Sequence, residues 1–185
     1  MQGYNTVYLL VGQRGAGKSV YAEKILSQQP GISFVSRDVV LTRLFGSTDL
    51  SPYSGQSERG GAVTKRLLRR ILSTRTNLKL IFDYWTGEGR DRRNLNQWLR
   101  RHGAVRVVAL YFITSLPLVN EWFWKKPGVA KAKEMKTREN EGLTFFSENA
   151  PSRDYEVFHR IASDIASDGF DEVVRINPLE QVIFL

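Results

Sequence analysis

The stretch Gly12-Gln13-Arg14-Gly15-Ala16-Gly17-Lys18-Ser19 matches the pattern G-x-x-x-x-G-K-[ST] at every fixed position. It follows the apolar run Thr6-Val7-Tyr8-Leu9-Leu10-Val11, which we interpret as a buried strand. Residues 20–28 come next and carry their apolar side chains on one face, as a helix does. Because a preceding strand and a following helix are the context this pattern requires, we interpret it as a P-loop rather than a glycine-rich turn with a chance Lys-Ser pair.

The residue types in this loop suit the binding of a nucleoside triphosphate. Gly12, Gly15 and Gly17 leave backbone N–H groups free to point at the α- and β-phosphates, and the helix that follows presents its positive end to them. Lys18 is predicted to reach the β- and γ-phosphates, and the Ser19 hydroxyl is predicted to bind Mg²⁺. The predicted nucleotide site therefore comprises Gly12, Gln13, Arg14, Gly15, Ala16, Gly17, Lys18 and Ser19, with ATP and Mg²⁺ as cofactors.

Length, charge and cysteine content limit the class of protein. The 185 residues fit one domain, which we predict to span 1–185, with a core covered on both faces of a sheet. The absence of cysteine excludes disulfides, thiolate catalysis and cysteine-ligated zinc. No apolar run is long enough for a signal sequence or a membrane span, so we expect a cytoplasmic protein, in the host cytoplasm if phage-encoded. The net charge of +8 favours polyanionic partners.

Strand and helix patterns alternate along the rest of the chain. Predicted strands lie at 6–11, 32–35, 78–82, 105–112 and 172–176, with a further candidate at 181–185. Predicted helices lie at 20–28, 39–45, 62–75, 90–102, 117–124 and 152–166, and residues 46–56 form a Gly-, Ser- and Pro-rich loop. This alternation predicts an α/β fold with a mostly parallel five-stranded sheet between two layers of helices, a three-layer sandwich.

Polar residues follow two of the predicted strands directly. Ser36-Arg37-Asp38 follows the second strand, and Asp83 follows the third. In open α/β sheets, ligands bind at the edge formed by the carboxyl ends of the strands. Asp38 and Asp83 are therefore candidate functional carboxylates, although either could also be structural, Asp38 as the N-cap of the next helix.

The P-loop alone does not decide between switches, motors and kinases. The chain has no Asn-Lys-x-Asp motif after a middle strand, which a GTPase would need to recognise its base. It also has no apolar run that ends in paired acids, as a large ATPase would. Neither pattern is present, so residues outside the P-loop must indicate the reaction.

Four features resemble the P-loop kinases typified by the polynucleotide 5′-kinase domain. They are the P-loop, Ser36-Arg37-Asp38, Ile81-Phe82-Asp83 followed by Arg92-Arg93, and the tail 168–174, which reads Asp-Gly-Phe-Asp-Glu-Val-Val. The resemblance spans most of the chain, and it implies a basic helical lid at about 122–142.

The resemblance also implies a role for each matched residue. Asp38 would be the general base that accepts the proton of the attacking hydroxyl, while Arg37 would hold the acceptor. Asp83 would contact the acceptor or orient a metal-bound water, and Arg93 would contribute to the acceptor site. With Lys18, the catalytic residues would be Asp38 and Arg37.

The chain departs from that family at two places. An arginine that grips the acceptor phosphate usually follows the Arg-Asp motif closely, whereas the nearest candidate here is Arg43. The lid usually offers arginines to the ATP phosphates, whereas this chain has Lys125 and Lys126, which lack the bidentate fork of arginine. Arg138 or Arg153 could supply that contact instead.

Three classes of function stay open at this stage. Seventeen of the 27 basic residues lie in 65–75, 90–106 and 125–138, with aromatic residues close by, which favours a nucleic-acid acceptor presented as a single-stranded end or a flipped base. Its hydroxyl could be a 5′ end or, as in phage-type DNA-modifying kinases, a hydroxymethyl group on a base. The alternatives are a small-molecule nucleoside or nucleotide kinase and a non-catalytic nucleotide-binding module, and the oligomeric state is open.

Overall fold

The computed structural model describes residues 4–46, 48, 55–84, 86–125, 149–180 and 182–185. The strands are β1 (Thr6–Val11), β2 (Ser33–Ser36), β3 (Lys79–Asp83), β4 (Arg106–Phe112) and β5 (Glu172–Ile176). The helices are α1 (Lys18–Gln28), α2 (Arg37–Phe45), α3 (Gly55–Thr74), α4 (Gly89–Arg101), α5 (Leu116–Trp124) and α6 (Ala150–Ala162), and a short 3-10 helix spans Ile165–Ser167.

The five strands form one sheet in the order β2-β3-β1-β4-β5, and every neighbouring pair is parallel. The predicted α/β class is confirmed, and the sheet is wholly rather than mostly parallel. β1 is central and all six of its residues are buried, because strands flank it on both sides and helices cover both faces.

The alternation of side chains along β1 divides the core into two layers. Val7, Leu9 and Val11 pack with Leu68 and Leu72 of α3, and with residues of α4 and α6. Tyr8 and Leu10 point to the opposite face and pack against α1. Since successive residues of a strand face opposite sides, this single apolar run holds together the predicted three-layer sandwich.

Two predicted helix starts were wrong. α2 begins at Arg37 with Ser36 as its N-cap in an extended conformation, so Asp38 lies in the first turn and is not the cap. α3 begins at Gly55, inside the predicted loop, and contains Gly60 and Gly61 despite their poor helix propensity. Both glycines are buried, and a Cβ on Gly60 would lie 2.1 Å from Leu41, so packing against α2 outweighs propensity.

The chain after α6 also differs from expectation. The helix predicted over 152–166 ends at Ala162, and the 3-10 helix follows. Residues 182–185 form no strand; Gln29, just after α1, binds them instead, donating to the Ile183 carbonyl at 2.7 Å and accepting from the Leu185 N–H at 2.8 Å. Across the described part of the chain, no helix combines the length and apolar character needed to cross a membrane.

Candidate active site

The P-loop connects β1 to α1 and needs glycine at two of its positions. Gly15 and Gly17 adopt φ of 79° and 83°, in the left-handed region that side chains disfavour. A Cβ on Gly15 would lie 2.7 Å from the Val119 carbonyl oxygen, and one on Gly17 would lie 2.8 Å from the Trp122 ring. The loop is therefore packed tightly under α5, and its shape depends on these glycines.

Two polar side chains of the loop fit a ligand rich in oxygen. Lys18 Nζ donates to the carbonyls of Gly12 at 2.8 Å and Gln13 at 2.9 Å, so its ammonium lies against the loop. Gln13 is 7% exposed, and its Nε2 has no hydrogen-bond partner among the described residues. A buried donor without a partner costs about 1–3 kcal/mol of folding free energy. A ligand oxygen that accepted a hydrogen bond from Gln13 would remove this cost.

Two threonines that the sequence analysis missed support the backbone of the loop and of the strand before it. Thr114, just after β4, donates its hydroxyl to the Ala16 carbonyl at 2.8 Å. Thr86, just after β3, donates to the Leu10 carbonyl at 3.2 Å. Both are buried, and their place beyond strand ends at the functional edge was the signal that could have found them.

Arg14 ties the P-loop to the helices on either side of residues 126–148. Its Nε donates to Asp154 Oδ2 of α6 at 2.6 Å, and its guanidinium lies 5.0 Å from the ring centroid of Phe123 in α5. Phe123 also packs with Ala150 at the start of α6. The structure therefore gives Arg14 a definite structural role, and its predicted contact with ATP stays a prediction.

The predicted acceptor residues lie at the ends of two paired strands. Ser36 and Asp83 are register partners on β2 and β3, and the Ser36 hydroxyl donates to Asp83 Oδ2 at 3.4 Å. Asp83 is 9% exposed. Asp38, two residues beyond Ser36, is exposed, and its carboxylate accepts no hydrogen bond from any described residue. A buried carboxylate at the end of β3 and an exposed one just beyond β2 thus lie at neighbouring strand ends.

Arg37 and Arg43 occupy opposite ends of α2. Arg37 Nη2 donates to the backbone carbonyl of Ser57 at 3.3 Å and to its hydroxyl, which holds the first turn of α3 at this edge. Arg43 is exposed in the last turn, about 9 Å along the helix axis from Arg37. Arg37 therefore lies at the predicted acceptor site, and Arg43 lies farther along the helix.

Tyr84 follows Asp83 and forms part of the same edge. Its ring stacks on Phe82 at 5.3 Å, and a Cβ on Gly61 would lie 2.9 Å from its hydroxyl. Burial raises the pKa of Tyr84 above its ordinary value, against the lowering effect of Arg37, so the phenol stays neutral at physiological pH. The small residue in α3 lets this hydroxyl approach the helix closely.

Arg92 and the tail acid Asp168 form a buried ion pair, a contact that the sequence analysis did not predict. Neither side chain is exposed, and Arg92 Nε donates to Asp168 Oδ2. Arg92 also donates to the carbonyls of Gly87 at 2.6 Å and Ile161 at 2.8 Å. The pair therefore fixes the loop after Asp83. Arg93, half-exposed, pairs with Asp168 Oδ1 at 3.0 Å.

The predicted lid is described only in part. Lys125, just after α5, is exposed and pairs with Glu121 of α5 at 2.5 Å. Lys126, Arg138 and the rest of the lid to residue 142 lie outside the described residues. Arg153 is exposed, 3.9 Å from Asp154. The lid and its phosphate contacts therefore stay predictions.

The donor set for a metal is small. In the described ranges, no group of three or more His, Cys, Asp and Glu could hold a metal ion. Magnesium bound with a nucleotide needs only one or two protein ligands because phosphates and waters complete its shell. Ser19 and Asp83 fit that requirement as hydroxyl and carboxylate donors.

Solved structures with this fold include kinases of several kinds. A chain in the structure of the Pnkp1/Rnl/Hen1 RNA repair complex aligns with a TM-score of 0.64 and 16% identity over 89% of this chain and 47% of that one. A fungal RNA kinase aligns at 0.52 and 14% over 97% and 77%. Shikimate kinase from Acinetobacter baumannii, bound to shikimate, aligns at 0.53 and 18% over 94% and 84%.

These likenesses establish the fold as that of the P-loop kinases. The chain spans about half the length of the RNA repair chain that it matches. No curated protein sequence matches it. A family model described as an AAA domain matches residues 7–144, which include the P-loop, Asp38 and Asp83. The chain therefore belongs to this family of P-loop nucleotide-binding domains, AAA_33.

Proposed function

We propose that the chain is an ATP-dependent kinase that transfers the γ-phosphate to a hydroxyl carried by a nucleic acid. The observation that supports this best is the sheet order, in which β3 lies between β1 and β2. Because the three strands are parallel, the P-loop, Asp83 and Asp38 follow strand ends at one edge. That is the arrangement in-line phosphoryl transfer requires, with a phosphate cradle beside a proton acceptor.

In the proposed reaction the acceptor hydroxyl oxygen attacks the γ-phosphorus. The bond between that phosphorus and the β,γ-bridging oxygen breaks, ADP leaves, and the hydroxyl proton passes to Asp38. Lys18 neutralises charge on the transferred group, and Arg37 positions the acceptor. Ser19 and Asp83 would hold Mg²⁺, which would offset the charge of the β- and γ-phosphates.

The nucleic-acid assignment rests on two supports. The exposed face of α3 is strongly basic, which suits a polyanionic acceptor. Two of the similar structures carry RNA repair or RNA kinase in their names. A 5′-hydroxyl end and a hydroxymethyl group on a base are both compatible with an acceptor cleft at Asp38, and the transfer assay distinguishes them.

A small-molecule kinase is the second candidate, favoured by one observation. The fold aligns with that of shikimate kinase, which acts on a small molecule, over 94% of this chain and 84% of that one. In this case the basic surface would serve only solubility, and free nucleosides or polyols would accept phosphate as well as oligonucleotides do.

The test is transfer from γ-labelled ATP to a panel of acceptors. The panel comprises 5′-hydroxyl DNA, 5′-hydroxyl RNA, duplex with hydroxymethylated bases, free nucleosides and shikimate. Asp38→Asn should lower kcat by about 10²–10⁴-fold, the usual contribution of a general base, while leaving ATP affinity unchanged. The matched control is Glu23→Gln, since Glu23 is an exposed acid on α1.

Each alternative has a distinct outcome. Transfer only to free small molecules would select the second candidate. ATP binding without transfer to any acceptor would select a nucleotide-binding module. Unchanged transfer by the Asp38→Asn variant would remove Asp38 from the mechanism whatever the acceptor.

A further inference from the structure

Helix α3 carries a stripe of arginines on its solvent side. Arg59, Arg66 and Arg70 are all exposed, whereas Leu68 and Leu72 are buried in the core. With about 3.6 residues per turn, positions separated by seven and eleven residues fall on one line, opposite the buried face. We call Arg59, Arg66 and Arg70 the α3 stripe.

The charges of the stripe are not neutralised within the described structure. No ion pair joins Arg59, Arg66 or Arg70 to any described acidic residue. α3 itself contains five basic residues and one acid, Glu58. Arg66 and Arg70 are also one turn apart, where like charges repel. Such a cluster costs stability unless an anionic partner occupies it.

The stripe leads away from the proposed acceptor site. The first turn of α3 is held at that edge by the bonds from Arg37 to Ser57. Its last turn is held at the opposite edge, where Asn5, just before β1, donates to the carbonyls of Leu72 at 3.2 Å and Arg75 at 2.9 Å. From Arg59 to Arg70 the stripe runs about 16 Å along the helix axis, enough for several nucleotides.

We propose that the α3 stripe binds the phosphate backbone of a single-stranded polynucleotide whose reacting end lies at Asp38. This inference rests on the proposed function and extends it to the length of the acceptor. A single row of arginines suits one strand, since its charges follow one line of phosphates. The acceptor site at Asp38 would then hold the reacting end of the strand, and the α3 stripe would hold the nucleotides that follow it.

The test compares two triple variants by fluorescence anisotropy with a labelled 5′-hydroxyl oligothymidylate of about 12 nucleotides. The first variant is Arg59→Gln, Arg66→Gln and Arg70→Gln. The control is Arg101→Gln, Arg160→Gln and Arg175→Gln, which removes three exposed arginines from other elements. Circular dichroism and urea unfolding check that both variants fold.

Three results are expected from the first variant. Affinity should fall at least tenfold, and the slope of log K against log salt should shrink by about 2, since each single-strand phosphate contact contributes about 0.7. KM for the oligonucleotide should rise while KM for a dinucleotide acceptor and kcat stay unchanged. The control variant should change the affinity and the slope by much less.

Several results would overturn the inference. Equal losses in the two variants would mean that only net charge matters. An unchanged salt slope, tighter binding of duplex than of single strand, or equal binding of polyglutamate would each exclude the proposed occupant. If the wild type binds the strand through the stripe but phosphorylates no oligonucleotide, the assignment of a nucleic-acid acceptor fails while the strand-binding surface stands.

Discussion

Helices α3 and α4 are both basic and both cover the same face of the sheet, yet their arginines have different surroundings. In α4, Arg92 and Arg93 pair with Asp168, and Arg100 pairs with Asp171 at 2.7 Å. In α3 the stripe has no such partners among the described acids. The tail that neutralises α4 lies more than 65 residues away in sequence. Composition therefore cannot distinguish an arginine that holds the fold from one available to a ligand.

The largest effect should come from removing the buried charge of α4. Arg92→Ala leaves Asp168 buried without its main partner, and such losses cost about 3–5 kcal/mol of unfolding free energy. Arg92→Lys should lose less unfolding free energy than Arg92→Ala because it keeps the positive charge. It should still be less stable than the wild type because lysine cannot make all three hydrogen bonds of Arg92. Urea denaturation measures both, with Arg90→Ala, an exposed arginine on the same helix, as the control. A loss below about 1 kcal/mol for Arg92→Ala would mean that the pair is not a structural anchor.

The next largest loss of stability should come from Asn5, which hydrogen-bonds the backbone at the C-terminal ends of both α3 and α4. Asn5 is 6% exposed, donates to the carbonyls of Leu72, Arg75 and Gly103, and accepts from the Leu78 N–H at 3.0 Å. Asn5→Ala leaves those buried groups without partners, at a cost of about 1–3 kcal/mol.

The control for that prediction is the exposed neighbour Tyr4→Ser, which should change little. Thermal unfolding and hydrogen exchange at the C-terminal turn of α3 measure the effect. Unchanged exchange at that turn would show that the end of α3 is held by packing alone.

The outer ion pair of α4 should matter less and depend on pH. Burial raises the pKa of Asp171, but the Val107 N–H at 2.7 Å and the Arg100 guanidinium outweigh it and hold the pKa below the ordinary 3.8. Folding therefore gains from the ionised carboxylate above about pH 4 and loses that gain as the pH falls through the lower folded value.

Asp171→Asn should remove this pH dependence. Because both side chains are about one-third exposed, solvent screening limits the loss at neutral pH to about 1 kcal/mol. The gap between wild type and variant in urea unfolding should close below pH 4. A gap that stays constant down to pH 2 would contradict the lowered pKa.

The sequence predicted the parts of the molecule that local patterns specify. The P-loop, the alternation of strands and helices along the chain, and the carboxylates near the ends of β2 and β3 all follow from short runs of residues. It could not predict that Asp168 meets Arg92, because that contact depends on β5 lying beside β4. It also missed the early start of α3, since Gly60 and Gly61 oppose a helix by propensity and are retained for packing against Leu41 and Tyr84.

The smallest change in stability should come from Arg66→Glu in α3, and the matching charge reversal in α4 should have the opposite sign. Arg66→Glu places a glutamate one turn before Arg70, replacing repulsion with an i,i+4 pair that stabilises by about 0.2–0.5 kcal/mol. Arg100→Glu places a second acid against Asp171 and should destabilise. Thermal unfolding in low salt gives both signs, and oligonucleotide anisotropy should show strong loss for Arg66→Glu and little for Arg100→Glu. If Arg66→Glu also destabilises the fold, the positive charge of Arg66 stabilises the native structure as Arg100 does, and the difference between the two helices disappears.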